Sequence, residues 1–60
     1  MKYKPGDLLL NKWDERRLVM SNNDEYYLIL YVDFPIAEAP IKSRLEETEK
    51  DFAETEYTKI

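Results

Sequence analysis

Neither cysteine nor histidine occurs in this 60-residue chain, and glycine occurs once. Without cysteine there are no disulfides, no thiol nucleophile and no thiolate metal centre, so stability rests on packing or on a partner. Without histidine the chain lacks the commonest general base and the commonest neutral metal ligand. One glycine leaves no glycine-rich loop to cradle a phosphate. Long apolar runs are missing too: the longest, Tyr26 to Val32, has seven residues and cannot span a bilayer. Met1-Lys2-Tyr3-Lys4-Pro5 carries charge, but no apolar stretch follows it, so no secretory signal is expected. A cytoplasmic protein without membrane contact is the expectation, and the lack of cysteine fits a reducing compartment.

What is present supports folding. Hydrophobic residues make up 43% of the chain and aromatics 13%, too rich for a disordered polymer. The length allows one small domain, residues 1–60, which buries only about 60% of the surface its unfolded form exposes. An internal cavity of about 300 Å³ would consume such a core, which argues against a deep substrate site.

The chain divides into a β region (1–36), a connector (37–42), a helix (43–56) and a tail (57–60). Leu8-Leu9-Leu10 follows the turn signal Pro5-Gly6-Asp7 and reads as a first strand. Arg17-Leu18-Val19-Met20 reads as a second, and Glu25 to Val32 as the strongest. Trp13-Asp14-Glu15-Arg16 turns the chain between the first two. Ser21-Asn22-Asn23-Asp24 is a hairpin tip, because Asn and Asp tolerate positive φ and bond their own backbone. The third strand is apolar on both faces, with Tyr26, Leu28, Leu30 and Val32 on one and Tyr27, Ile29 and Tyr31 on the other, so it belongs in a central position. The two prolines of Phe34–Pro40 suit an extended link. Ser43-Arg44-Leu45-Glu46 fits a helix capping box, and Ile41, Leu45, Thr48 and Phe52 form a narrow apolar stripe at helical spacing. Glu56–Ile60 is a short strand or a loose tail. The expected core is Leu8, Leu10, Leu18, Met20, Leu28, Leu30 and Val32, with Ile29, Phe34, Leu45 and Phe52 closing the other side.

Candidate chemistry is sparse. Asp14-Glu15 and Asp24-Glu25 are adjacent carboxylates, but neighbours in a turn or strand point apart, whereas acid–base catalysis needs convergence in a pocket. Asn22–Glu25 offers oxygen ligands without the alternating spacing, glycine and terminal glutamate of a calcium loop. No catalytic residue, cofactor site or metal site is assigned, and the chain is expected not to be an enzyme.

Two binding readings remain. For nucleic acid, Tyr3, Trp13, Arg16 and Arg17 would combine phosphate contacts with an aromatic platform, although residues 1–17 carry five basic and three acidic side chains. The acidic row Glu46, Glu47, Glu49, Asp51, Glu54 and Glu56 could instead mimic nucleic acid, diluted by Lys42, Arg44, Lys50 and Lys59 to a net charge of −2 over residues 42–60. A solvated helix face accounts for the same residues. For protein binding, Trp13, Tyr27, Tyr31 and Tyr57 supply the residue types that dominate interface hot spots, with Glu47 and Glu54 beside them.

Lys4-Pro5-Gly6-Asp7-Leu8, followed by short β segments, resembles the opening of many small SH3-like barrels, in which a Pro-Gly-Asp turn leads into the first strand. The likeness spans roughly residues 3–33. The chain also looks like the short accessory proteins that bacterial viruses encode. The resemblance implies a mainly β fold, a five-stranded small barrel used for binding, with no catalytic residue. A three-stranded antiparallel meander with the C-terminal helix on one face is the alternative, since the chain has no later glycine where barrel strands bend. The leading expectation is therefore a non-catalytic protein-binding module: an adaptor, an inhibitor or a small subunit, with homo-oligomers possible. The alternatives are a small-barrel nucleic-acid binder and an acidic nucleic-acid mimic.

Overall fold

The computed structural model describes residues 2–33 and 44–60. Within them the chain is mainly β. Five antiparallel strands form one open sheet: β1 (Leu8–Leu10), β2 (Arg16–Asn22), β3 (Tyr26–Tyr31), β4 (Leu45–Glu49) and β5 (Thr58–Lys59). One helix, α1 (Lys50–Glu56), lies between β4 and β5. The spatial order is β4-β3-β2-β1-β5, so four strands follow one another in a meander and the last returns beside the first.

The opening turn forms as its residues require. The Asp7 amide donates to the Lys4 carbonyl at 3.0 Å, closing the Lys4-Pro5-Gly6-Asp7 turn. Gly6 sits at φ 94°, a conformation that a side chain makes costly. The Asp7 carboxylate caps the turn by accepting the Lys4 amide at 3.0 Å. That bond, with the nearby Lys59 ammonium, holds the Asp7 carboxyl below its ordinary pKa. At the β2–β3 hairpin the Asn23 carboxamide oxygen accepts the amides of Glu25 and Tyr26, both at 2.8 Å. The ladder shifts register between Val19 and Ser21, which leaves Met20 at a bulge with 43% of its surface exposed.

The core occupies the opposite face of the sheet from the one expected. Leu9, Val19, Tyr27 and Ile29 are fully buried, joined by Tyr3, Ala53 and Tyr57, and Tyr31 packs against them. Of the residues assigned to the core, only Ile29 lies there. Leu8, Leu10, Leu18, Leu28, Leu30, Val32 and Leu45 are half-buried, and Met20 and Phe52 are exposed. The reason is the ambiguity of β3, whose two faces are equally apolar. The side that closes is the one to which α1 and the N-terminal segment return, and tyrosines line it. The Tyr3 hydroxyl donates to the Tyr57 carbonyl at 2.7 Å, and the Tyr27 hydroxyl accepts the Tyr3 amide while donating to Glu54. Tyrosine can close a small core because its ring packs while its hydroxyl is satisfied.

The expected helix over 43–56 is only half right. Leu45–Glu49 is a strand, and helix begins at Lys50. Leu45-Glu46-Glu47-Thr48-Glu49 has good helix formers, but β3 would otherwise present an unpaired edge beside the core. Pairing from Leu30↔Leu45 to Tyr26↔Glu49 satisfies that edge and overrides local propensity. Glu46, expected to close a capping box with Ser43, is extended and bonds Tyr31. The tail is a strand: β5 pairs with β1 at Leu9↔Lys59 and Leu10↔Thr58. The expected connector 37–42, together with Phe34, Ile41 and Ser43, lies outside the described residues. No helix among the described residues is long and apolar enough to cross a membrane.

Candidate functional site

The β1–β2 loop is built around Asn11. Its carboxamide oxygen accepts the amides of Trp13 and Glu15, both at 2.9 Å, and its amide nitrogen donates to Glu15 Oε1 at 2.7 Å. Asp14 takes φ 61°, which Asp tolerates better than most residues. With the loop occupied by its own hydrogen bonds, Trp13 is turned outward and 69% exposed. The Lys12 ammonium rests 4.6 Å from the centre of its ring.

Across from Trp13, α1 presents Phe52, 52% exposed and edge-on to Tyr57 with ring centres 6.1 Å apart. Ala53 takes the buried side of this short helix, so its neighbour Phe52 faces away from the core. Between these two aromatics lies an open cleft of about 610 Å³. Its floor carries Arg17, Tyr31 and Thr48, and its far wall carries Glu46, Glu47, Glu49 and Glu56. It lies outside the core rather than hollowing it, so a 60-residue chain can have both.

The floor is electrostatically settled. Arg17 is 8% exposed and stacks on Tyr31, its guanidinium carbon 4.0 Å from the ring centre. It donates to the Arg16 carbonyl at 3.1 Å and to Glu15 at 3.3 Å, while its Nε has no partner among the described residues. Thr48 is 7% exposed, and its hydroxyl also lacks one. The Tyr31 hydroxyl bonds Glu46; burial, reinforced by that carboxylate, pushes Tyr31 up to about 12. The Tyr31 hydroxyl therefore keeps its proton near neutrality.

Of the six residues expected to contact a protein partner, the cleft gathers four: Trp13, Tyr31, Tyr57 and Glu47. Tyr27 and Glu54 are corrected. Tyr27 is fully buried, and Glu54 is held by the Tyr27 hydroxyl and by the Lys2 amide at 3.2 Å. The Tyr27 hydroxyl is the main reason the Glu54 carboxyl lies below its ordinary pKa, and burial, then Glu54, raises Tyr27. The nucleic-acid constellation does not assemble. Tyr3 is buried, Arg17 is stacked and paired, and Arg16 is bound to Asp33 with its Nη2 2.6 Å from the carboxylate. The acidic row is likewise divided, with Glu46, Glu47 and Glu49 on β4 and Asp51, Glu54 and Glu56 on α1. No three acidic residues among the described ones converge on a metal position.

Glu46, Thr48, Glu49, Phe52 and Glu56 were not expected together as cleft residues, because the strand–helix boundary at Glu49/Lys50 decides where each points, and Lys12 joins them from the β1–β2 loop. The signal for Phe52 was its place beside Ala53 in so short a helix. Compared with known proteins, the chain matches no family model, no curated protein and no solved structure.

Proposed function

We propose that the chain is a non-catalytic protein-binding module, serving as an adaptor, an inhibitor or a small subunit of an assembly. One observation carries the proposal: Trp13 and Phe52, two of the chain's largest apolar side chains, are both exposed and both line one cleft. Neither contributes to the buried core. Exposed aromatics that line one groove favour a partner that covers them. The non-catalytic part of the reading is supported by the floor of the cleft, where Tyr31 bonds Glu46 and Arg17 is stacked on Tyr31 and paired with Glu15. The finer fold reading, a small SH3-like barrel, is supported by the four-strand meander, the helix before the last strand and the return of β5 to β1. Closure would require β4 and β5, the two edges of the open sheet, to meet.

The test is capture of partners from lysate by the tagged protein, beside the Trp13→Ala and Phe52→Ala variants. Washes at low and high salt, with and without nuclease, separate the readings. The module reading expects one protein retained through high salt and nuclease and lost with either variant. Recovery that disappears with nuclease or with salt, and is indifferent to Trp13, overturns it in favour of nucleic acid.

A further inference from the structure

Glu46, Glu47, Thr48 and Glu49 all line the cleft although consecutive strand residues point to opposite faces. A groove confined to one face of β4 would meet only every second residue. The cleft lies over β2 and β3 at Arg17 and Tyr31 and reaches past the face of β4 to its edge, where backbone is accessible. Among the described residues β4 pairs with β3 alone. The Lys50 amide donates to the Glu25 carbonyl at 2.9 Å, which fixes the phase of the ladder. By antiparallel alternation the backbone groups of Thr48 and Glu46 then face β3, and those of Leu45, Glu47 and Glu49 face outward.

We infer that the cleft binds an extended, lysine- or arginine-bearing segment of the partner, added as a further strand along the outer edge of β4. The inference rests on the binding-module reading and supplies the chemistry of its partner. Charge complementarity selects the occupant. Four carboxylates line the cleft, Glu46, Glu47 and Glu49 from β4 and Glu56 from α1, against two cations, Lys12 and Arg17. A second copy adding through its own β4 would set glutamates against glutamates, which disfavours self-pairing. A cationic strand meets the opposite condition, while Phe52, on the helix that directly follows β4, receives the apolar residues that alternate with its charges. Strand addition draws affinity from main-chain bonds and specificity from alternate side chains, which is the combination this edge offers.

The test uses the full chain and labelled ten-residue probes: alternating lysine and valine, its glutamate–valine counterpart, oligolysine, and the lysine–valine peptide N-methylated along its backbone. Fluorescence anisotropy gives affinity, and amide chemical shifts locate binding. The expected result is saturable binding of the lysine–valine peptide with shifts at Leu45, Glu47 and Glu49. The other three probes should bind at least tenfold more weakly, and Glu47→Lys combined with Glu49→Lys should reverse the charge preference. Equal binding by the N-methylated peptide overturns strand addition, and equal binding by oligolysine or the glutamate peptide overturns the assigned chemistry. No saturable binding of the lysine–valine peptide also overturns it. If Trp13-dependent capture of a partner survives while the lysine–valine peptide fails, the edge proposal falls and the module reading stands. If that capture fails as well, both fall.

Discussion

The two faces of this sheet are almost equally apolar in sequence and very different in structure. One face carries Leu9, Val19, Tyr27 and Ile29, closed over by Tyr3, Ala53 and Tyr57. The other carries Leu8, Leu18, Leu30 and Leu45, which lie in register across four strands as a single row and stay half-buried. The leucine row is the more hydrophobic of the two, yet it is not the core. A sheet face becomes a core when other parts of the chain return to it with their polar groups satisfied. Here α1 and residues 2–4 return to the tyrosine face, where phenolic hydroxyls bond the backbone of Tyr3 and Tyr57 and the Glu54 carboxylate.

Neighbouring substitutions on β3 make the strongest test of that difference. Ile29→Asp places an unpaired charge in the closed face at a cost above the protein's total stability, so its thermal unfolding should show no cooperative transition. Leu30→Asp, one residue away, should keep a cooperative transition at lower temperature. Loss of cooperativity in both variants would show that the leucine face is closed as tightly as the other. Next in size is Tyr27→Phe, which strands the Tyr3 amide and releases Glu54; urea unfolding should show a loss of about 1–3 kcal/mol. Tyr26→Phe, an exposed neighbour on the leucine side, should change stability by less than about 0.5 kcal/mol.

Trp13→Ala should leave the unfolding midpoint close to that of the parent chain while abolishing partner capture, because Trp13 belongs to neither packed face. A large drop in stability would return Trp13 to the core. The smallest effect concerns acid. The Arg16 guanidinium holds the Asp33 carboxyl down to about 2, against an ordinary value of 3.8. Because the folded pKa is the lower one, this ion pair contributes fully above the ordinary value. Its contribution is lost as pH falls through about 2. Unfolding midpoints measured across that window should fall less steeply for Asp33→Asn than for the parent chain.

Legibility in the sequence followed local chemistry. The opening turn, β1 and the β2–β3 hairpin depend on Gly6, Asn23 and short leucine- and tyrosine-rich runs, which act within a few residues of themselves, and these were readable. β4 was not, because Leu45–Glu49 is helix-prone and becomes a strand only through its distant partner Tyr26–Leu30. The identity of the core face was also hidden, since both faces of β3 are apolar and the charged Arg17 shares the closed one. In the structure its guanidinium is folded down over Tyr31 and leaves little of the side chain in water. The exposure of Trp13 was partly legible from its place in a turn. The cleft was not, because its opposite wall depends on the misread boundary.

β5 is only two residues long, yet it joins the end of the chain to β1, and the Tyr3 hydroxyl reaches the Tyr57 carbonyl across a sequence separation of 54. During synthesis the meander can pair progressively as it emerges, but the closed face stays incomplete until residues 57–60 have left the ribosome. Such nonlocal closure is entropically expensive and slow compared with hairpin formation. The nascent chain therefore passes through a stage in which its strands are paired and its tyrosines are still wet. In that stage its unclosed face is open to chaperones and to proteases.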